Sequence, residues 1–555
     1  MKRALLLTLA IIISGNIFAG EQSKSWVSDQ GDGTFKNPVL YADYSDPDVI
    51  RVGDDYFMTS SSFNVVPGLP ILHSKDLINW ELINHALPTL DMEGVEPADH
   101  YSTPQHGNGV YAPCMRYHNG EFMIYWGDPD FGIYVVKSDD PFGQWSEPIC
   151  VIPGRGRIDP TPLFDDDGRV YLAFAWAASR AKVNSILSVV ELNAEGTKAV
   201  GEEVLVYDGH PDKNHTIEGG KFYKMGGYYY ILSPAGGVID GWQLALRSES
   251  VYGPYEVMRT LDVGSSEING PHQGALIETQ SGEWWFMHFQ DMGVYGRIAH
   301  LQSVEWRDGW PVMGVKRKGY CGEPAMSYTK PNVGATYPIQ TPATSDEFDQ
   351  PKLSLQWQWH ANPKSTWALP TAMGYCRLYG EFRPEEFVNL WSVPNLLLQK
   401  LAAPIITATM KSKVVLRNAG DMAAMLSMGG SYSYIAISRD DNNQYTIKQI
   451  ACNDARGGSA ERVVAEVSPK NLKITQVSNG TTRFQEVEIY FQLRMEQGGK
   501  TSLYYSCDGK KFLPLGEEFA ATKGRWIGGK IGMFVLTTNP TGQRSWMDVD
   551  YFRVE

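Results

Sequence analysis

The sequence predicts an all-β protein in which a five-bladed β-propeller is followed by a C-terminal β-sandwich. Three observations support this prediction. A chain of 555 residues is too long for one ordinary hydrophobic core, and its 55 glycines, 32 prolines and 12% aromatic residues are typical of turn-rich β structure. A turn-and-strand pattern recurs before residue 325. Strict alternation of apolar and polar residues follows residue 346.

The first 20 residues predict a secretory signal peptide. Lys2 and Arg3 precede the apolar run 4–13, and the small residue Ala19 fits a cleavage site. About ten apolar residues are too few to span a bilayer about 30 Å thick, which disfavours the alternative of a membrane anchor. We therefore expect an exported protein, periplasmic or secreted, without membrane insertion.

Residues 21–325 contain five repeats that predict the propeller. Each repeat starts with one or two turn residues and continues with the aromatic or β-branched residues of a strand. The five copies lie at 53–58, 119–124, 167–172, 226–231 and 281–286. Their spacing of about 48 to 66 residues leaves room for one four-stranded blade per repeat, and five blades can close radially. A β-sandwich with chance similarity among its turns is the alternative.

The composition and the patterning change after the last repeat. Residues 326–345 are rich in Pro, Thr and Gly and predict a linker. Beyond it, apolar residues at every second position alternate with polar ones, as in Val487, Ile489 and Phe491. This alternation indicates strands with one buried and one wet side. We therefore predict a β-sandwich over 346–555 that packs against the propeller.

One position ahead of each repeat has chemistry that a structural repeat does not require. Ten to twelve residues before each hairpin, close to Pro or Gly, lie Asp46, Tyr111, Asp159, Glu218 and His272. If the five positions are equivalent, one per innermost strand, all five side chains surround one mouth of the central channel. Three of the five are carboxylic acids.

Three converging carboxylates are costly because like charges raise one another's pKa. That cost is tolerated where one acid must stay protonated while its neighbour stays ionised, which is the requirement of glycosidic bond cleavage. Turn capping or cation binding is the alternative for any one of these acids alone. Three acids in register across a five-fold repeat favour glycoside hydrolysis.

Over roughly residues 36–325 the chain resembles glycoside hydrolase family 43. The supporting motifs, in chain order, are NPVL at 37–40, SDPD at 45–48, HSKDL at 73–77 closing with Trp80, YAP at 111–113, IDP at 158–160, DDDG at 165–168 and IEG at 217–219. Residues 339–555 resemble the concanavalin-like sandwich of the two-domain members of this family. Each motif is weak alone, and the order and spacing of the set are specific.

The resemblance implies an inverting mechanism and a role for each acid. Asp46 would be the general base that activates water, and Glu218 the general acid that protonates the leaving oxygen. Asp159 would orient Glu218 and keep its pKa raised. No cofactor would be required.

Further residues are candidates for substrate binding. His272 and Arg297 fall where the family has polar pocket residues, so Arg297 would pair with Asp46 or Asp159, or contact a sugar hydroxyl. His272 would bind water or a structural calcium ion in the channel, with ordinary hydrogen bonding as the alternative. Phe63 and Trp126 follow inner strands and are predicted to stack on the sugar, with burial in the core as the alternative. Tyr111 completes the set.

The predicted function is an exo-acting α-L-arabinofuranosidase that removes terminal non-reducing residues from hemicellulose side chains, in arabinoxylan or xyloglucan. A β-xylosidase is the alternative, because the family uses one acid set for both sugars. A retaining fructan hydrolase is disfavoured by the residues around Asp46 and Glu218. An inactive carbohydrate-binding protein is the alternative of another class. A net charge of −14 without a Lys/Arg cluster argues against nucleic acid as a partner.

Overall fold

The computed structural model describes residues 21–22, 26–371, 373–383, 386–478, 480, 482–540 and 544–555. Within these residues the first domain is a propeller of five antiparallel blades, so the predicted fold class is confirmed. Blade 1 contains Asp48–Val52, Asp55–Thr59, Gly68–Ser74 and Trp80–Leu87, and blade 2 contains Tyr111–His118, Glu121–Asp128, Gly132–Ser138 and Ile149–Pro153. Blade 3 contains Arg157–Phe164, Val170–Trp176, Ile186–Leu192 and Val204–Asp208, and blade 4 contains Lys221–Met225, Tyr228–Ala235, Trp242–Ser248 and Glu256–Leu261. Blade 5 contains His272–Glu278, Trp284–Asp291, Arg297–Arg307 and Trp310–Met313. Val315–Lys318 and Cys321–Glu323 extend the fourth blade.

The blades pack face to face because their strands are apolar on both sides. In Glu121–Asp128, Phe122 and Ile124 pack against blade 1, whereas Met123 and Tyr125 pack against blade 3. The same alternation produces an apolar core between every pair of neighbouring blades, including blades 5 and 1. Side-chain parity therefore decides which interblade core each residue enters.

The repeat turns have the backbone that their residues favour. Asn119 and Gly120 both have positive φ, at 52° and 86°. Two such residues between antiparallel strands form the tight hairpin turn that matches the right-handed strand twist. The turn-and-strand pattern in the sequence is thus the hairpin between the first two strands of a blade.

The N-terminal segment closes the ring of blades. Thr34–Lys36 pairs with Ser327–Thr329, which follows the last blade. The Asn37 side chain accepts from the Leu301 N–H at 2.9 Å and donates to the Leu301 and Ala325 carbonyls. These bonds join the chain just before blade 1 to the third strand of blade 5. They hold the segment that leads into Asp46.

The second domain is a sandwich of two sheets. One contains Ala368–Thr371, Tyr375–Tyr379, Trp546–Val554, Ile406–Val415, Arg483–Glu496, Lys500–Ser506 and Leu513–Pro514, with Lys473–Ser478 and Phe519–Ala520 at its sides. The other contains Glu381–Phe382, Lys530–Thr537, Met422–Met428, Tyr432–Arg439, Tyr445–Cys452 and Arg462–Val467, with Leu397–Lys400 beside it. The alternating residues Val487, Ile489 and Phe491 lie between the sheets, fully buried.

The segment 326–345, predicted as a linker, includes short strands at both ends. Ala343–Ser345 pairs with Glu21–Gln22, and Ser327–Thr329 belongs to the closure described above. The sandwich also pairs directly with the propeller, since Val66 and Trp359 exchange both backbone hydrogen bonds, at 2.8 and 2.6 Å. The Asn64 side chain donates to the His360 carbonyl at 2.7 Å. The two domains are therefore docked through backbone and side-chain contacts.

The helical elements of the described residues are short. Ala178–Ala181 is α-helical, and His100–Ser102, Gly293–Tyr295 and Leu390–Ser392 are 3-10 turns. No helix in the described part of the chain is long and apolar enough to cross a membrane. The predicted signal peptide, residues 1–20, lies outside the described residues.

Candidate active site

The site lies where the five innermost strands begin. There each blade has one residue in the left-handed backbone region: Asp46 (φ 55°), Ala112 (25°), Asp159 (55°), Gly219 (63°) and Gln273 (41°). Such a backbone is strained for a residue with a side chain and re-aims the chain at the start of the strand. Asp46 and Asp159 are therefore structurally equivalent, in blades 1 and 3.

The five positions that the sequence suggested are not all equivalent. Tyr111, Glu218 and His272 each precede the left-handed residue of their blade by one position. The equivalence predicted for these three is wrong by one residue. Spacing from the hairpins did not reveal this, because a window of ten to twelve residues admits either of two neighbouring positions.

The Asp46 carboxylate is buried among hydrogen-bond donors. Ser61 and Ser45 donate their hydroxyls to Oδ2 at 2.6 and 3.0 Å. Arg297 places a guanidinium nitrogen 3.2 Å from both Asp46 oxygens. The pairing of Arg297 with an acid is thus observed, and Asp46 is its partner. Donors on both oxygens suit an ionised carboxylate.

Asp159 is connected to the residue that follows Glu218. Its Oδ2 accepts the Gly219 N–H at 2.8 Å, a bond between blades 3 and 4. The Glu218 carbonyl, which belongs to the same peptide group as the Gly219 N–H, accepts the Ser233 hydroxyl. The peptide group that follows Glu218 is therefore held by a carboxylate of blade 3 and by a hydroxyl of blade 4.

The electrostatic environment separates Glu218 from Asp46. Burial, together with the nearby charge of Asp159, raises the pKa of Glu218 to about 8, against the opposing effect of Arg297. The pKa of Asp159 is itself raised, by burial and by the charge of Asp46. A Glu218 carboxyl protonated at neutral pH can donate a proton, whereas the oxygens of Asp46 already accept hydrogen bonds from Arg297 and two serines.

A loop of the sandwich domain, residues 523–529, reaches this site. The Trp526 ring lies 5.6 Å from the Arg297 guanidinium, which also lies over the Phe289 ring at 4.9 Å. Ile527 packs against Phe63 and Val65 of the propeller. We name this segment the sandwich loop. Its contribution was not predicted, since nothing in the sequence near Trp526 connects it to Asp46.

The aromatic candidates have different locations. Phe63 and Tyr111 pack edge to face at 5.1 Å beside Ile527, and Tyr111 stays partly exposed. Trp126 is fully buried in the core between blades 1 and 2 and stacks on Tyr134. The prediction that Trp126 stacks on the sugar is wrong. Its parity on the strand directs it into the interblade core.

His272 is buried, and neither of its ring nitrogens has a hydrogen-bond partner among the described residues. Burial and the charge of Arg297 lower its pKa to about 3, so the ring is neutral. No group of three or more His, Cys, Asp or Glu side chains in the described residues could hold a metal ion. Calcium prefers several oxygen ligands, and these side chains do not form such a cage. A calcium ion held through water stays a prediction.

Comparison with protein families identifies the family to which this chain belongs. Residues 35–311 match the model of glycosyl hydrolases family 43, and residues 345–555 match that of the β-xylosidase C-terminal concanavalin A-like domain. A β-xylosidase of Formosa agariphila is 31% identical over 581 residues, covering 96% of this chain and 92% of that protein. The chain belongs to glycoside hydrolase family 43.

Two further relatives and one solved structure agree with this assignment. A candidate β-xylosidase of Xylanibacter ruminicola is 34% identical over 526 residues, covering 94% of this chain and 89% of that one. A non-reducing end α-L-arabinofuranosidase of Bacteroides ovatus is 31% identical over 435 residues, 75% of each chain. The structure of a bifunctional GH43-CE protein of Bacteroides eggerthii superposes with a TM-score of 0.78 at 26% identity. The superposed region covers 94% of this chain and 63% of the Bacteroides eggerthii chain.

Proposed function

We propose that this family 43 protein is an inverting, exo-acting pentosidase that removes terminal units from plant xylan-type polysaccharides or oligosaccharides. The observation that supports this most directly is the contrast between two acids at one end of the propeller. Asp46 accepts hydrogen bonds from Arg297 and two serines, whereas Glu218 has its pKa raised to about 8. An ionised base and a protonated acid are what glycosidic bond inversion needs.

In the proposed mechanism Asp46 accepts a proton from a water molecule as that water attacks the anomeric carbon. Glu218 donates its proton to the leaving glycosidic oxygen in the same step. Asp159 holds the Glu218 segment through the Gly219 N–H and raises the pKa of the acid through its charge. Arg297 orients the Asp46 carboxylate and lies beside the Trp526 ring.

The exo-acting mode is supported by the sandwich loop. Ile527 packs on Phe63 from blade 1, and Trp526 lies over Arg297 from blade 5. Arg525 packs so closely on Gly107 that a Cβ there would lie 2.6 Å from its side chain. The loop thus contacts both sides of the Asp46 region, where a polymer running straight through would need an open groove.

For the sugar we propose xylose, with a β-linked terminal unit, and arabinose as the second candidate. Two relatives that align with more than nine-tenths of this chain are described as β-xylosidases, one of them as a candidate. The α-L-arabinofuranosidase expected from the sequence has support from the Bacteroides ovatus relative, which aligns over three-quarters of the chain. We also propose export from the cytoplasm, on the charged and apolar pattern of residues 1–20.

Turnover of two chromogenic substrates tests the proposal. The purified protein should hydrolyse an aryl β-D-xyloside faster than an aryl α-L-arabinofuranoside at equal concentration. Asp46→Asn is the matched inactive control, because the amide keeps the shape of the side chain but cannot accept the proton of water. Release of single pentoses from a xylo-oligosaccharide, followed by chromatography, tests the exo mode. Hydrolysis of neither aryl pentoside, or full activity of Asp46→Asn, would contradict the proposal.

A further inference from the structure

Asp43, three residues before Asp46, bridges the two domains with its buried carboxylate. It is 5% exposed. Its Oδ1 accepts the Arg297 N–H of blade 5 at 2.8 Å, and its Oδ2 accepts the Gly528 N–H of the sandwich loop at 2.8 Å. One side chain therefore holds both the residue that pairs with Asp46 and the loop that contains Trp526.

Two glycines, one from each domain, make room for this contact. A Cβ on Gly296 would lie 2.4 Å from the Asp43 carboxylate, and a Cβ on Gly528 would lie 2.9 Å from the Gly296 nitrogen. Contacts this short would force the backbone apart. The loop backbone thus lies directly against the propeller backbone, with Asp43 between the two N–H groups.

Buried cations from the sandwich add an electrostatic reason for a carboxylate here. Lys400 donates to the Asp43 carbonyl at 2.7 Å, and Lys530 donates to the Gln358 side chain at 3.0 Å. Burial lowers the pKa of both lysines, and the charge of Asp43 opposes that shift in each. Asp43 therefore supplies negative charge from the propeller to two ammonium groups of the sandwich.

We propose that Asp43 is a positioning residue that couples docking of the sandwich loop to the placement of Arg297 against Asp46. Arg297 reaches Asp46 from a backbone that Asp43 holds, and Trp526 reaches Arg297 from a loop held by the same carboxylate. The inference rests on the proposed function of Asp46 as the base. It adds that Arg297 is correctly placed against Asp46 only when the sandwich is docked.

Asp43→Asn is the direct test because it preserves shape and removes one acceptor. The amide oxygen can accept one N–H, and its NH2 group then faces the other N–H. We expect kcat/KM to fall about 10- to 100-fold, the size expected for losing a charged hydrogen-bond partner. KM should rise as well as kcat fall, because Arg297 and Trp526 both move. A loss of folded protein alone would lower kcat and leave KM unchanged.

A double-mutant cycle distinguishes positioning from general destabilisation. If Asp43 acts through Arg297, the variant with both Asp43→Asn and Arg297→Ala should be about as active as Arg297→Ala alone. The control is Lys523→Ala, which breaks an ion pair between the same loop and Asp291 of the propeller. It should stay within about twofold of the wild type, because the Lys523 side chain is 45% exposed and Asp291 keeps the hydrogen bond from the Gly293 N–H. Losses that multiply in the cycle would overturn the proposal.

Two further measurements keep the inference testable apart from activity. Amide hydrogen exchange of residues 523–529 should accelerate in Asp43→Asn and not in Lys523→Ala. If Asp43→Asn does not fold, Gly528→Ala displaces the same hydrogen bond from the sandwich side. It should lower kcat/KM by about the same 10- to 100-fold and accelerate the same amide exchange. If the wild type hydrolyses neither aryl pentoside, the proposed function fails. Unchanged exchange in Asp43→Asn would then overturn the Asp43 inference separately.

Discussion

Asp46 and Glu218 differ in what surrounds their carboxyl groups, and that difference could be predicted only in part. The sequence predicted both acids, with Asp159, from their positions before the hairpins. Arg297 and its contact with Asp46 were predicted as one of several options. The donors Ser45 and Ser61 were not predicted, because serines are common in such segments and their partners are set by the fold.

Glu218→Gln should separate substrates by their leaving groups. Without the acid, a poor leaving group loses protonation that contributes about 10²- to 10⁴-fold, whereas an activated aryl group needs little help. We expect the kcat/KM loss to be far larger for xylobiose than for a dinitrophenyl pentoside. Steady-state kinetics on both substrates measures this. Equal losses on the two would show that Glu218 is not the acid.

Asp159→Asn should move the alkaline limb of the kcat/KM profile to lower pH. Glu218 must be protonated to act, so activity falls as pH rises through its pKa of about 8. Asp159 raises that pKa, and removing its charge lowers the pKa. Asp165→Asn is the control, because that carboxylate pairs with Lys224 instead. An unmoved limb in Asp159→Asn would contradict the electrostatic account.

At the scale of the strand, parity explains where sequence reasoning succeeded and failed. The five hairpins were predicted because Gly and Asn at turns mark them locally. Trp126 was placed wrongly because adjacency to an inner strand does not show which interblade core a side chain enters. The one-residue shift of Tyr111, Glu218 and His272 was missed because a spacing of ten to twelve residues admits two neighbouring positions, and the left-handed backbone that distinguishes them leaves no mark in the sequence.

The innermost strands are joined by a central arginine. Arg116 of blade 2 donates to Asp48 of blade 1 at 3.1 Å, to Thr161 of blade 3 at 3.1 Å and to the Phe222 carbonyl of blade 4 at 3.4 Å. Asp48 is fully buried. Four blades thus contribute to one set of polar contacts in the channel.

Arg116→Met should destabilise the propeller by about 3–5 kcal/mol, because it leaves the buried Asp48 without its cation. Denaturant unfolding followed by tryptophan fluorescence measures the loss. Arg155→Met removes an arginine whose side chain is 67% exposed and should change the free energy of unfolding by about 0.5 kcal/mol or less. Similar values for the two variants would contradict the structural role of Arg116.

The sandwich domain contributes to the site through Trp526 and is not only an appended domain. Its presence and its alternating strands could be predicted from local patterns. The contact of Trp526 with Arg297 could not, because it depends on how two domains dock across more than 200 residues of chain. Such a contact has no periodicity and no motif.

Trp526→Ala should raise KM about tenfold and leave the unfolding midpoint unchanged. The ring is 46% exposed, so little core packing is lost, whereas covering its exposed face with a sugar would contribute about 1–1.5 kcal/mol at roughly 25 cal/mol per Å² of apolar surface. Trp526→Phe is the conservative control and should retain most of the affinity. Unaltered kinetics in Trp526→Ala would mean that the sandwich loop does not contact the substrate.

The configuration of the first sugar released reports directly on the roles of Asp46 and Glu218. If Asp46 activates water on the face opposite the leaving group, an aryl β-D-xyloside must release α-D-xylose first. Proton NMR during the first minutes of hydrolysis, before the free sugar equilibrates, distinguishes the two anomers. For inversion by Asp46 and Glu218 we expect the α-anomer signal to appear first and the β-anomer signal to grow in later. Initial release of β-D-xylose would mean that a carboxylate attacks the sugar directly, and would contradict the roles assigned to Asp46 and Glu218.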